Sequence, residues 1–241
     1  MNPGPLVGHS VNTGIVVRNI AEKVFWPVRE YIGKKKSEIV RYSKTVLLKD
    51  GRACIIRNGT ERDAQGVWDN FVLTHGETEF LTTYPEEVTF TLEQEEAYLK
   101  KKEESNRDAE LLAEVSGKVV GTAGICGINA SEKTRHRASF GISIAKAWWG
   151  LGIGRALTEA CIECAREAGY LQLELEVVAD NRKATELYKS VGFIEYGRNP
   201  KGFRSRNSGW QENVLMRLEL QPEEGKNVCP ELYFKGEKNS V

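Results

Sequence analysis

The amino-acid sequence predicts a domain of the α+β class, and three stretches support this class. Apolar residues recur at helical spacing over 153–165, and Gly169 follows as a C-terminal stop. Apolar and polar residues alternate over 171–177, which is typical of a strand with two different faces. Two further runs, 110–115 and 119–128, flank a turn of small and polar residues and predict a β-hairpin.

Two helices are predicted before the hairpin and one near the end of the chain. The first two begin at capping boxes, Thr60 with Asp63 and Thr91 with Gln94, and are expected to end near residues 71 and 105. The third carries an apolar stripe over 184–191 and ends at Gly192. The remaining strands are predicted at 53–57, 137–144, 193–196 and 212–220.

The domain is predicted to occupy residues 51–221, with an N-terminal extension of residues 1–50 and a C-terminal tail of residues 222–241. Basic residues outnumber acidic ones in the extension, and apolar residues recur there at helical spacing around Pro27. These features favour a short helical extension packed on the body or on a second subunit. A basic helix on a membrane surface and a disordered segment are the alternatives.

Composition argues against several classes of function. Lys plus Arg and Asp plus Glu both number 34, so no global field favours nucleic acid. No apolar run is long enough to span a membrane, and stable membrane insertion is not expected. Five sparse cysteines fit reduced thiols in a cytoplasmic protein. Cys161 and Cys164 lie on an apolar helix stripe and the three histidines are scattered, so no metal site is predicted.

The segment from Trp149 to Arg155 predicts an anion-binding turn. It follows a predicted strand, opens a predicted helix and places glycines at 150, 152 and 154. Glycine lets a backbone approach a ligand closely, and the first N–H groups of a helix have no intrahelical partner. The helix dipole favours an anion at the same place. A pyrophosphate is therefore the favoured ligand, and a plain strand-to-helix turn is the alternative.

Residues 142–154 resemble the acetyl-CoA signature of the GNAT superfamily of N-acetyltransferases, and the resemblance extends over roughly 53–220. Gly152 and Gly154 match the two small positions of the signature, whereas Trp149 stands where Gln or Arg is usual. The resemblance implies acetyl-CoA as co-substrate and a primary amine as acceptor. The implied cofactor-binding residues are Ile142, Ser143, Ile144, Trp149, Gly150, Leu151, Gly152, Ile153, Gly154, Arg155 and Asn181.

The resemblance also implies an architecture: a mixed, mostly antiparallel twisted sheet with helices on both faces. The two adjacent parallel strands at 137–144 and 171–177 are expected to splay, and acyl-CoA is expected to bind in the gap. A bulge in the 137–144 strand is expected to free a backbone N–H near Ile144 for the acyl carbonyl.

Asn181 and Tyr188 match the Asn and Tyr that the family carries at this spacing. The resemblance implies that the Asn contacts the pantetheine arm and that the Tyr hydroxyl protonates the departing thiolate. Taken alone, Asn181 reads as a helix N-cap and Tyr188 as a core aromatic. Their order after the glycine turn favours the functional reading of both residues.

The sequence offers several candidates for the general base and for acceptor binding. Ser139 falls where many family members carry a Glu, and it could hold a relay water. His136, Glu86 and Glu87 are alternatives that read more simply as surface groups, so proton loss through water is favoured. Tyr84, Glu86, Ser139 and Phe203 are the candidate acceptor-binding residues.

Two other functions remain open at this stage. A non-catalytic acyl-CoA sensor would explain the Ser at position 139. A dinucleotide-binding oxidoreductase would explain the strand, glycine turn and helix, but its third required glycine position is Arg155. Dimerisation is common in the family, and the sequence does not show it.

Overall fold

A computed structural model describes residues 39–220, which form one mixed sheet with helices on both faces. The predicted N-terminal helix and the C-terminal tail lie outside the described residues, and the domain boundaries stay predictions. The strand order is β1-β2-β3-β4-β5-β6-β8-β7, and only β5 and β6 are parallel neighbours. The α+β fold with a mostly antiparallel sheet is therefore confirmed. The strands are β1 Ser43–Leu47, β2 Ala53–Asn58, β3 Ala109–Val115, β4 Lys118–Gly127, β5 Arg137–Ile144, β6 Gln172–Val178, β7 Ile194–Ser205 and β8 Gly209–Glu219.

Four helices cover the two faces of the sheet, and they differ in what they bury. Helices α3 (Ile153–Glu167) and α4 (Arg182–Ser190) cover the larger apolar core, which includes Leu111, Leu173 and Met216. Helices α1 (Ala64–Glu77) and α2 (Leu92–Glu103) cover the opposite face with a much smaller apolar cluster around Leu99 and Leu112. The α1/α2 face is consequently the more polar one.

Strands β5 and β6 separate along their length, as expected. They pair only from Arg137/Gln172 to Ser139/Glu174, so a gap opens beyond that point. Against β4, the bonds of Ile128 N–H to Arg137 O and Ala145 N–H to Val120 O mark odd-numbered residues of β5 as the hydrogen-bonded pairs. The N–H groups of Ile142 and Ile144 therefore point into the gap.

The prediction of a β-bulge in β5 is wrong. Pairing of β5 with β4 runs without a shift from Gly127/Ala138 to Gly121/Ile144. The separation of β6 already frees the N–H groups on that side of β5, so no extra residue is needed. The register shift near this region lies between β3 and β4, at Ala113/Glu114.

Three other elements differ from the sequence-based expectation. Strand β1 was not predicted, because its side chains are exposed or only half buried and show little apolar alternation. Helix α1 continues to Glu77 rather than to residue 71, and it buries the polar residues Thr74 and His75 in its last turn. Strand β7 runs to Ser205 rather than to residue 196. It is the edge strand, where Pro200 can be accommodated.

Candidate active site

The glycine turn before α3 leaves open space beside its backbone. Gly150 and Gly152 have φ values of 80° and 102°, and an added Cβ at either position would meet no atom within 4 Å. Gly154 is different, because a Cβ there would lie 3.3 Å from Leu187 and 3.5 Å from Ile144. Gly150 and Gly152 therefore keep the turn accessible, whereas Gly154 allows α3 to approach α4 and β5.

The start of α3 offers unpaired N–H groups to this space. Its N-cap is Gly152, which has no side chain to cap them, and the first helical bond comes from Ala156 N–H to Gly152 O. The N–H groups of the first turn therefore lack intrahelical acceptors and carry the positive end of the dipole. This is the arrangement that binds phosphate at helix N-termini.

Trp149 holds the turn against the end of β5. Its indole Nε1 donates a hydrogen bond of 2.7 Å to the carbonyl of Ile144, and its ring is 41% exposed. The residue that departs from the family signature thus has a role of its own, since it ties the turn to the mouth of the gap. Leu151 and Ile153 direct their side chains into the apolar core instead.

Cationic side chains gather around the same turn. Arg155 donates to Ser190 Oγ at 2.7 Å and to Glu159 at 3.3 Å, so its guanidinium is held between α3 and α4. Lys49, Arg182 and Lys183 line the same cavity. Their charges suit the phosphates of a nucleotide-like ligand.

A cavity of about 780 Å³ joins this turn to the gap between β5 and β6. It reaches from the cationic residues to the end of α1. The cavity is lined by most of the residues expected to bind the cofactor, namely Ile142, Ser143, Ile144, Trp149, Gly150, Gly152, Gly154, Arg155 and Asn181, and by Tyr188.

Asn181 and Tyr188 serve the fold and line the cavity at once. Asn181 Oδ1 accepts the N–H of Ala184 at 3.3 Å and so caps α4. The Tyr188 ring packs edge-on against Phe140 with centroids 6.0 Å apart, while its hydroxyl has no hydrogen-bond partner within residues 39–220. Burial raises the pKa of Tyr188 well above its ordinary value, which keeps the hydroxyl protonated.

The opposite end of the cavity, which we call the acceptor end, is lined by Thr74, Thr78, Phe80, Leu81 and Glu176. Glu176 accepts a hydrogen bond of 3.2 Å from Asn213 Nδ2. Sequence reasoning missed Glu176, although the alternation in 171–177 placed it on one face with Glu174. Glu174 is bound by Arg137, with 2.7 Å between Oε2 and the guanidinium, so the two carboxylates have different surroundings.

The residues suggested for acceptor binding do not line this cavity. Tyr84 donates to Glu79 at 3.0 Å and accepts the N–H of Arg206 at 2.8 Å, and Glu86 forms an ion pair with Arg206. Ser139 donates to the carbonyl of Cys126 at 3.2 Å. Phe203 lies on β7 opposite Gln211. The acidic segment 84–87 and the basic segment 204–206 are therefore joined by the ion pair of Glu86 with Arg206.

Two absences apply to the described part of the chain only. No group of three or more His, Cys, Asp or Glu side chains there is arranged to hold a metal ion. None of the four described helices is long and apolar enough to cross a bilayer.

Known proteins share this fold and this site region. The model of the acetyltransferase (GNAT) family matches residues 75–193. The chain belongs to the GNAT acetyltransferase family. A GNAT-family acetyltransferase of Streptococcus pneumoniae is 28% identical with a TM-score of 0.66, over 70% of this chain and 99% of that one. A protein of Salmonella typhimurium solved with its cofactor acetyl-CoA has a TM-score of 0.63 at 19% identity, over 73% and 99% of the two chains, which shows the shared fold alone.

Curated GNAT relatives match over shorter stretches. Mycothiol acetyltransferase of Nocardiopsis dassonvillei is 34% identical over 30% of this chain and 22% of its own length. N-acetyltransferase 8B of Homo sapiens is 32% identical over 36% of this chain and 39% of its own length. The chain thus spans well under half the length of these two relatives.

Proposed function

We propose that this GNAT-family chain is an acetyl-CoA-dependent N-acetyltransferase that transfers an acetyl group directly to a primary amine. One observation carries the proposal: a single cavity connects an anion-binding helix N-terminus to a buried, protonated tyrosine hydroxyl. A binding site for phosphates alone would not need Tyr188 in the same cavity. A nearby carboxylate, Glu176, adds a group that can take up a proton.

The residues present fit acetyl-CoA. A side chain at Gly150 or Gly152 would project into open space beside the turn, next to the free N–H groups of α3. These N–H groups and Arg155 would hold the pyrophosphate. The gap beyond Ser139/Glu174 would take the pantetheine arm, and Asn181 lies beside it. Bound acetyl-CoA would supply an acetyl thioester.

Groups at the centre of the cavity can stabilise the charges that develop on the carbonyl oxygen and on the departing sulfur. The N–H groups of Ile142 and Ile144 point into the gap and can hold a carbonyl oxygen as it gains negative charge. The Tyr188 hydroxyl lines the same cavity and is protonated, so a proton is present there for a departing sulfur.

The amine must lose a proton, since a typical primary amine is protonated at neutral pH. Glu176 is the carboxylate that lines the acceptor end, and its contact to Asn213 is a hydrogen bond to a neutral amide rather than an ion pair. Glu176 can therefore accept the proton directly or through water. The Ser139 hydroxyl donates to Cys126 O and is therefore less suited to the role of proton acceptor.

The test is turnover. Purified protein is mixed with acetyl-CoA and a panel of primary amines, and free CoA thiol and acetylated amine are quantified together. Equal amounts of the two products support the proposal. If the protein binds acetyl-CoA but releases no CoA with any amine in the panel, the result would instead support a non-catalytic acyl-CoA sensor, the alternative based on Ser139.

A further inference from the structure

The acceptor end of the cavity has a distinctive chemistry. Phe80 and Leu81 supply apolar surface, and Thr74 and Thr78 come from the end of α1 and the position after it. The threonine hydroxyl at position 74 is committed to Phe71 O at 3.1 Å. Strand β6 contributes one charged side chain to the cavity lining, that of Glu176, and Asp180 just after β6 is a second carboxylate that lines the cavity.

The cations that line the cavity come from three segments. Arg155 belongs to the first turn of α3, and Arg182 and Lys183 belong to the first turn of α4. The backbone N–H of Lys49 donates to Leu151 O, which places Lys49 beside the glycine turn. Phe80 and Leu81 belong to a different segment, which follows α1 and contributes no cation to the cavity lining within residues 39–220.

Basic residues of β5, of β7 and of the turn after β7 contact other side chains. Arg137 is held by Glu174, and Arg206 is held by Glu86 with its guanidinium 4.0 Å from the Tyr84 ring. Arg204 and Lys201 lie over the ring of Trp210. Within residues 39–220, the residues that define the acceptor end (Thr74, Thr78, Phe80, Leu81 and Glu176) include no cation.

The position of Glu176 is supported from β8. Asn213 is 1% exposed, and its Nδ2 donates to Glu176, so the amide orientation is set by that bond. A Cβ at Gly202 would overlap the Asn213 side chain, lying 2.6 Å from its Cβ. Gly202 on the edge strand thus leaves the space that Asn213 needs in order to reach Glu176.

We propose that the acceptor is a primary amine on an apolar, uncharged body, with no carboxylate next to the amine. The inference rests on the proposed acetyl transfer and narrows its substrate class. An ammonium group approaching Glu176 is attracted, and an apolar body contacts Phe80 and Leu81. A carboxylate on the same small molecule meets the like charge of Glu176 and finds no cation among the described residues of the acceptor end, which is unfavourable.

The test compares matched acceptors with the whole protein and acetyl-CoA. Phenylethylamine, phenylalanine and phenylalanine methyl ester share the aromatic body and the amine and differ in the carboxyl group. We expect kcat/KM for phenylethylamine to exceed that for phenylalanine by about 100-fold, and the neutral ester to recover most of the difference. In Glu176→Gln the ratio should shrink to below about 10-fold, because the repulsive charge is gone. Glu167→Gln, which changes an exposed carboxylate at the far end of α3, should leave the ratio as it is.

The outcomes separate this inference from the proposed function. Turnover of phenylalanine at a rate equal to or above that of phenylethylamine would overturn the inference and leave acetyl transfer intact. Acetyl-CoA binding with no turnover of phenylethylamine or the ester would also overturn it. Failure to bind acetyl-CoA, measured by calorimetry on the same sample, would defeat the proposed function itself.

Discussion

The two ends of the cavity are built in different ways. At the end with the glycine turn, which is proposed to bind the cofactor, the available groups are mainly backbone N–H groups within 150–155, together with Asn181 in the cap of α4. At the acceptor end, the wall is made of side chains from α1, the segment after it and β6, with support from β8. A backbone site constrains a short contiguous sequence, whereas a side-chain site draws on residues that only the fold brings together. The glycine-turn end can therefore be recognised from the sequence. Substitutions at the two ends should have different effects on acetyl-CoA binding and on turnover.

The largest effect is expected at the backbone of the glycine turn. Gly152→Val places a β-branched residue at φ 102° and fills the open space, and we expect the Kd for acetyl-CoA to rise more than about 100-fold. Calorimetric titration measures this change. Gly169→Val is the matched control, because Gly169 also has positive φ and open surroundings but follows the opposite end of α3. A comparable rise in Kd for the control would show that strain alone, rather than the site, explains the result.

The next effect concerns the centre of the cavity, where the two ends meet. Tyr188→Phe removes the proton donor, and kcat should fall about 100-fold while the Kd for acetyl-CoA stays unchanged. Steady-state kinetics and calorimetry together provide the measurement. Tyr170→Phe is the control, since that buried hydroxyl binds Asp108 at 3.1 Å and does not line the cavity. An unchanged kcat in Tyr188→Phe would contradict the assigned role.

At the acceptor end, Glu176→Gln should lower kcat/KM for the amine roughly 10- to 100-fold without weakening the binding of acetyl-CoA. Ser139→Ala should change kcat/KM little, because the Ser139 hydroxyl is bound to Cys126 O. The ratio of the two effects is read from initial rates at saturating acetyl-CoA. A larger loss in Ser139→Ala than in Glu176→Gln would return the proton-accepting role to the position indicated by the sequence.

The smallest effect is expected for Glu110, a buried carboxylate on the α1/α2 face that does not line the cavity. Burial raises the pKa of Glu110 from 4.5 to about 7, against an opposing effect of Lys102 and a hydrogen bond from Tyr98. The folded protein therefore holds a proton that the unfolded chain has lost, and stability should fall as the pH rises from 4.5 to 7. Urea unfolding at several pH values should show this fall, on the order of 2 kcal/mol, and Glu110→Gln should flatten it. An equal slope in the variant would show that other groups cause it.

Local signals in the sequence were enough to predict the glycine turn before α3 and much of the fold. The glycines before α3, the caps at Thr91 and Asn181, and the β3–β4 hairpin each depend on residues close in the chain. The separation of β5 and β6 came from the family resemblance, because it depends on pairing between distant strands.

The acceptor end could not be read in this way. Glu174 and Glu176 look alike in the alternating strand, and they differ only because Arg137 reaches one and Asn213 the other. Glu86 is a candidate acceptor-binding residue by sequence, yet in the fold its charge is neutralised by Arg206, which lies 120 residues further along the chain. The predicted strand β7 was too short. An edge strand tolerates polar residues and Pro200, and these residues obscure the strand pattern in the sequence.

The most direct test of the whole account is calorimetric titration of the protein and of Gly154→Glu with acetyl-CoA and with NADH. The account predicts that the unmodified protein binds acetyl-CoA and not NADH. It also predicts that Gly154→Glu binds neither, because the new side chain crowds Leu187 and Ile144 and brings a negative charge to the start of α3. Absence of acetyl-CoA binding, or NADH binding in its place, would contradict the acetyltransferase assignment and favour a dinucleotide site at the same turn.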